Sequence, residues 1–378
     1  MAKLGWMRVG KNGLRLNMQG KQRMGIFKRV LFVLLLPVLS SSAQEQAKPK
    51  LESAETCKEC HKQHYMEWAN SGHAHFSREQ NLPFVRLSGR VGAGKRDISH
   101  CQGCHEPLRQ FSDSVSDSKI IVRERVTCDF CHSVQIDHPR QKFTLHPSGA
   151  KQGPIEKTES PKHKVAYSRE ITSSDFCLVC HHKSRDDHRQ LRKEFPPELI
   201  NCQSCHMPLR RDGSKGHSHA FLGRFSEEML QKAFEFDVVV QEVDAGLQVD
   251  VKLTNIVNAH SVPPAPAGYS YIVLWVTAQD VSNKVVWKNW DVKPSDEPIL
   301  ATIHADSRGV VPQAIYVKAK ESKGFQYLLK DKTIRWVEAR LVSYALAPRE
   351  VARMKLKDPF YTRGRTMAFR RLYLGKDN

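Results

Sequence analysis

The sequence predicts a mixed fold: a mostly α-helical and irregular domain over 54–233, followed by an all-β, sandwich-like domain over 234–347. Three observations carry that reading. The pattern C-x-x-C-H occurs five times, at 57–61, 101–105, 128–132, 177–181 and 202–206, and takes up all ten cysteines of the chain. No cysteine follows Cys205. Beyond residue 233 the apolar residues switch to the alternation of half-buried strands.

Two thiols with two residues between them sit on one helical turn and can add across the two vinyl groups of a haem. The residue after them then aims its imidazole at the iron. Paired thiols also clamp zinc, but zinc gives no reason for a histidine after every second cysteine. Closed as disulfides, such loops are tiny and strained. The expectation is therefore five covalently bound haem c groups. Attachment falls to Cys57, Cys60, Cys101, Cys104, Cys128, Cys131, Cys177, Cys180, Cys202 and Cys205. The proximal ligands are His61, His105, His132, His181 and His206.

The chain has 378 residues, enough for two domains, and is 40% hydrophobic. That is a lean apolar content, which five porphyrin plates would supplement in the core. The formal charge is +19, but residues 1–43 hold eight Lys or Arg and no acid, so the remainder carries +11. Ten haem propionates would reduce this to about +1 with ferrous iron and about +6 with ferric iron. No basic stripe interleaved with aromatics is present, which argues against nucleic acid.

Residues 1–29 are basic. A ten-residue apolar run over 30–39 and the small residues Ser40, Ser41, Ser42 and Ala43 follow. This is the layout of a secretory signal peptide, cleaved after Ala43, or of an uncleaved N-terminal anchor. Export to the periplasm agrees with haem attachment outside the inner membrane. Residues 44–53 form a polar linker.

Over 54–233 the five motifs are too dense for a conventional core, so short helices joined by loops are expected. One should run over 61–71, with Tyr65 and Trp68 a turn apart and Gly72 at the C′ position. Ser174 and Asp175 should cap the fourth motif helix, and Ser226 a short helix over 227–233. The motif starts lie 44, 27, 49 and 25 residues apart, a rhythm that suggests haems in close pairs.

From 234 onward, strands are expected around Phe236, Val238 and Val240. A second covers 247–253, with Val249 and Val251 inward and Gln248, Asp250 and Lys252 outward. Others fall at 269–276, 285–290, 313–317 and 334–346. Short strands with Pro/Gly punctuation make an antiparallel sandwich. Residues 348–378 read as a basic tail, helical at 349–356 and then irregular.

Thirteen histidines lie outside the motifs and bear on the second axial position of each iron. A second histidine there gives a haem that only carries electrons; an open position admits a substrate. The segment 57–74 fits C-x-x-C-H-x(3)-Y-x(2)-W-x(2)-S-x-H-A, through Tyr65, Trp68, Ser71, His73 and Ala74. It resembles the first motif of the cytochrome c-554-like multihaem cytochromes. The segments 126–132, 160–168 with 173–177, 202–208 and 217–221 resemble them too. Asn255, His260 and Pro263 resemble a loop of the β-domain appended in many of these proteins. The resemblance implies His73, His163, His219 and His260 as distal ligands. His260 would reach from the β-domain into the haem domain. His217 competes with its neighbour His219, and His146, His217 and His138 are candidates for the fifth position. His64, His75, His100, His182, His188 and His304 are expected at the surface or behind a ligand.

Three functions follow from this set. The first is a pentahaem cytochrome relaying electrons between redox partner proteins, without a substrate site. The second is an oxidoreductase acting on a small nitrogen or sulfur compound at one open haem. No motif reads C-x-x-C-K, which weakens a lysine-ligated catalytic haem. The third is a docking role for the sandwich, compatible with the first.

Overall fold

The structure, a computed structural model, describes residues 50–75, 99–140, 142–156, 158–181, 201–214, 216–257, 259–263, 271–289, 299–301, 317–346, 351–352 and 354–375. The expected signal segment, His182, His188, His304 and the strand at 313–316 lie outside them. No helix among the described residues is long and apolar enough to cross a membrane.

The N-terminal part is a chain of short helices: α1 (Ala54–Lys58), α2 (Lys62–Ala69), α3 (Gly72–His75), α4 (Ser99–His105), α5 (Ser118–Arg123), α6 (Cys128–Ser133), α7 (Ser174–Leu178) and α8 (Cys202–His206). Helices this short are unstable alone, so their ends need side-chain partners. Ser53 accepts from Glu55 N at 3.1 Å, Thr127 from Phe130 N at 2.9 Å and Ser173 from Asp175 N at 3.1 Å. Asn201 and Ser204 form a reciprocal capping box at the start of α8. Each cap contributes about 1 kcal/mol. The cap of α7 is thus Ser173, one residue before the position expected, and Ser174 is its first helical residue.

Gly72 departs from expectation as well. Ser71 N turns back onto Trp68 O at 2.8 Å, and His75 N bonds Ser71 O at 3.2 Å. The chain restarts as α3 instead of ending at a C′ glycine, and this separate turn carries His73.

Two small sheets join the later motifs. In the first, β1 (Val134–Asp137) pairs antiparallel with β2 (Lys142–Leu145). In the second, β3 (Lys151–Gly153) pairs parallel with β4 (Val165–Tyr167). A side-chain core of Leu51, Leu108, Ile120, Phe130, Val134, Phe143 and Phe176 packs beneath them, with Phe130 edge-on to Phe143 at 5.1 Å. Trp68 is buried, and its indole N–H donates to Val126 O at 2.7 Å.

Ser226 caps α9 (Glu227–Gln231), as expected. The β-domain follows: β5 (Phe234–Val243), β6 (Gly246–Asn255), β7 (Tyr271–Gln279), β8 (Val285–Lys288), β9 (Ile299–Ala301), β10 (Ser322–Leu329) and β11 (Trp336–Tyr344). The helix α10 (Pro359–Thr362) and strand β12 (Arg365–Tyr373) close the chain. One sheet runs β10-β6-β5; the other runs β12-β11-β7-β8 with β9 also on β7, and all pairs are antiparallel. Val249, Val251 and Leu253 of one sheet pack with Leu274, Val276, Val337, Ala339 and Leu341 of the other in one buried cluster. This is the expected two-layer sandwich. Gly246 opens β6 with φ 139°, and a Cβ there would stand 2.2 Å from Leu329 O, so the β5–β6 turn requires glycine.

The sequence reading missed β9, β10 and β12. The last is a correction of substance: residues 365–373 are not an irregular tail but the edge strand of the larger sheet, with Met367 in the sandwich core. Arg370 and Arg371 are exposed and put positive charge on that edge, which discourages further pairing, whereas Arg365 is buried over the Phe225 ring.

Candidate functional site

Each of the five motifs begins on, or ends, a short helix, so the two thiols of a motif share a turn and the histidine follows at its end. None of the nine cysteines with described side chains is in a disulfide. Among the described residues no three His, Cys, Asp or Glu side chains converge in a group that could hold a metal ion.

The motifs meet in space. The sulfur of Cys57 lies beside that of Cys128, that of Cys104 beside Cys180, and that of Cys177 beside Cys202. Close pairing was expected, but only the last pair joins motifs adjacent in the chain.

The histidines are arranged in twos. His61 faces His163 with ring centroids 6.4 Å apart, His73 faces His181 at 6.3 Å, His132 faces His219 at 6.3 Å and His206 faces His260 at 6.2 Å. An imidazole nitrogen binds a first-row metal at about 2 Å, so two rings on opposite sides of one ion place their centroids about 6.3 Å apart. The four spacings fit an iron held between two imidazoles.

Hydrogen bonds from the rings agree. Nδ1 of His132 lies 2.5 Å from Gln152 O, that of His219 3.0 Å from His217 O, that of His260 2.9 Å from Ser261 O and that of His163 3.2 Å from Lys164 O. Nδ1 of His206 bonds Leu222 O. A carbonyl only accepts, so each Nδ1 carries the proton and leaves the Nε2 lone pair for a metal. Burial favours the neutral form at three positions: it lowers the His73 pKa to about 3 and that of His219 to about 4. Burial also lowers the pKa of His132.

His105 ends α4. Burial, and then the charges of Arg125 and His181, hold its pKa down at about 4. Of the candidates for a fifth distal position, His138 places Nε2 2.9 Å from Glu170 Oε1. His146 turns Nδ1 to Ser148 Oγ at 2.8 Å. His217 turns Nδ1 to Met207 O at 2.7 Å, and its own carbonyl serves the ring of His219. Of the two neighbours it is His219 that faces a motif histidine. His64 lies behind the pairs, edge-on to His61 at 5.9 Å and to His219 at 4.7 Å. His75 packs against Phe360 at 4.3 Å.

Two groups support the pairs: a Glu67–Arg210 fork with no signal in the spacing of the sequence, and Asn255, which belongs to the loop resemblance noted above. Glu67 of α2 and Arg210 of the loop after α8 form a bidentate pair with bonds of 2.7 and 2.8 Å. Asn255, at 0% exposure, donates to His260 O at 3.1 Å and Val317 O at 2.9 Å and accepts from Val257 N at 2.8 Å. It holds the loop that presents His260.

Residues 56–133 match the family model described as cytochrome c554 and c-prime. The crystal structure of a penta-heme cytochrome c552 from Thermochromatium tepidum is similar in fold. Its TM-score is 0.67 at 20% identity, covering 85% of this chain and 98% of that one. No curated protein matches the chain. With the repeated motifs, these matches support a multihaem c-type cytochrome with covalently bound haem c: a helical domain followed by antiparallel sheets.

Proposed function

We propose that the protein is an exported pentahaem cytochrome that relays electrons between redox partner proteins. The observation that carries the proposal is the set of four histidine pairs with centroids 6.2–6.4 Å apart. Haem supplies one-electron carriage, and the axial ligands set whether its iron is open to a substrate. His61 and His163 would hold the haem on Cys57 and Cys60. His132 and His219 would hold that on Cys128 and Cys131. His181 and His73 would serve the one on Cys177 and Cys180, and His206 and His260 the one on Cys202 and Cys205. The fifth haem would be borne by Cys101 and Cys104, with His105 as a ligand. The approach of Cys57 to Cys128, of Cys104 to Cys180 and of Cys177 to Cys202 would bring the haems they carry close together, which favours transfer along the set. The basic, then apolar, then small-residue layout of residues 1–43 supports delivery to the periplasm or to the outer face of the inner membrane.

Electron paramagnetic resonance of the oxidised holoprotein, then carbon monoxide titration of the reduced form, tests this. The four pairs require at least four low-spin haems that do not take up carbon monoxide. Two or more haems that bind it would overturn the relay reading. One such haem together with turnover of a nitrogen or sulfur oxyanion would move the assignment to an oxidoreductase.

A further inference from the structure

The third motif's partner, His219, is held by residues of the helix that follows the first motif. Glu67 lies on α2, which begins one residue after His61. Its carboxylate accepts two bonds from the Arg210 guanidinium and a third, at 2.8 Å, from the backbone N–H of His219. Arg210 is 4% exposed and Glu67 19%, so this fork is largely shielded from water. One turn earlier on the same helix, His64 sets its ring edge-on to that of His219 at 4.7 Å. The hairpin that bears His219 is tied to α2 a third time: Gln63 Nε2 donates to Asp212 and to Ser214 Oγ, both at 3.1 Å. A single helix thus fixes the backbone, the ring face and the supporting turn of a histidine more than 150 positions away.

We propose that Glu67, locked by Arg210, is the positioning residue that keeps His219 on the iron facing His132. The inference rests on the ligand assignment above. The fork fixes the height of the His219 backbone, and the bond from Nδ1 to His217 O fixes the ring rotation. Both are needed for Nε2 to point along the His132 axis. Groups that orient a metal-bound histidine in this way typically change its hold on the metal about 10- to 100-fold when removed.

The test uses the holoprotein. Glu67→Ala should let carbon monoxide displace one imidazole, with an apparent carbon monoxide affinity at that haem about 10- to 100-fold above the parent. Glu67→Gln keeps an oxygen for the His219 N–H and should restore the parent behaviour. Because Glu67→Ala strands a buried guanidinium, Glu67→Leu combined with Arg210→Leu removes both charges and retains folding. That double variant should show the same carbon monoxide-binding haem. His219→Ala is the control. If it creates a carbon monoxide-binding haem while the double variant stays wholly low-spin, the positioning role is overturned. If Glu67→Gln fails to restore the parent spectrum, the bond to the backbone is not the cause and the proposal also falls. If His219→Ala itself leaves all haems low-spin, the ligand assignment fails first and takes this inference with it.

Discussion

His206 and His260 face one another with ring centroids 6.2 Å apart and planes 15° apart, though one ends a haem-motif helix and the other sits in a loop of the β-domain. A metal ion between them would join the two domains by coordination as well as by packing. The sandwich is then part of the haem site.

Replacing His260 by alanine should free one axial position and leave the others intact. The expected outcome is one carbon monoxide-binding haem more than in the parent, with no loss of haem content by pyridine haemochrome assay. An unchanged carbon monoxide titration would show that His260 is not a ligand.

Asn255→Ala should act on the same haem from a distance. The substitution leaves the carbonyls of His260 and Val317 and the Val257 N–H without their buried partner, at a cost of about 1–3 kcal/mol. A lower urea midpoint accompanied by partial carbon monoxide binding is expected. A midpoint equal to the parent's would show that the loop is held otherwise.

Glu124 gives the stability a pH dependence. Burial raises its carboxyl pKa; bonds from Ala54 N and Ser53 Oγ offset that only in part, and the charge of Glu55 adds to it. A raised folded-state pKa means that the stabilisation is full below the unfolded value of about 4.3 and is lost as pH rises through the folded value. Between about pH 4 and pH 7 the parent's urea midpoint should therefore fall further than that of Glu124→Gln. Parallel profiles for the two proteins would contradict this.

Met367→Ala tests the edge strand. Met367 is buried in the sandwich core and should lose about 2–5 kcal/mol on truncation. The same change in an irregular tail would leave the melting curve unmoved.

The haem motifs were legible because covalent attachment dictates residue type and spacing together. The sandwich was legible where alternation is clean, as at Val249, Val251 and Leu253. β10 carried the same signal in Phe325, Tyr327 and Leu329, but Lys323 and Gly324 masked its start. β12 was hidden by its arginines, of which Arg370 and Arg371 are exposed and Arg365 is buried, because together they read as a solvated tail. Motif spacing implied neighbours along the chain, yet Cys57 meets Cys128, because folding brings together helices that linear distance cannot rank. The Glu67–Arg210 fork has no sequence signature at all, since two charges far apart in the chain pair only through tertiary structure.

The histidine pairs also impose an order of assembly. A chain made from its N-terminus presents His61 long before His163, His132 before His219, and His206 before His260. On the proposed pairing, three haems would be attached while their second ligand has yet to emerge, and their irons would wait half-coordinated. Only the haem on Cys177 and Cys180 finds its partner, His73, already made. Maturation intermediates of this protein should therefore bind exogenous imidazole or carbon monoxide, an affinity that fades as His163, His219 and finally His260 reach their places.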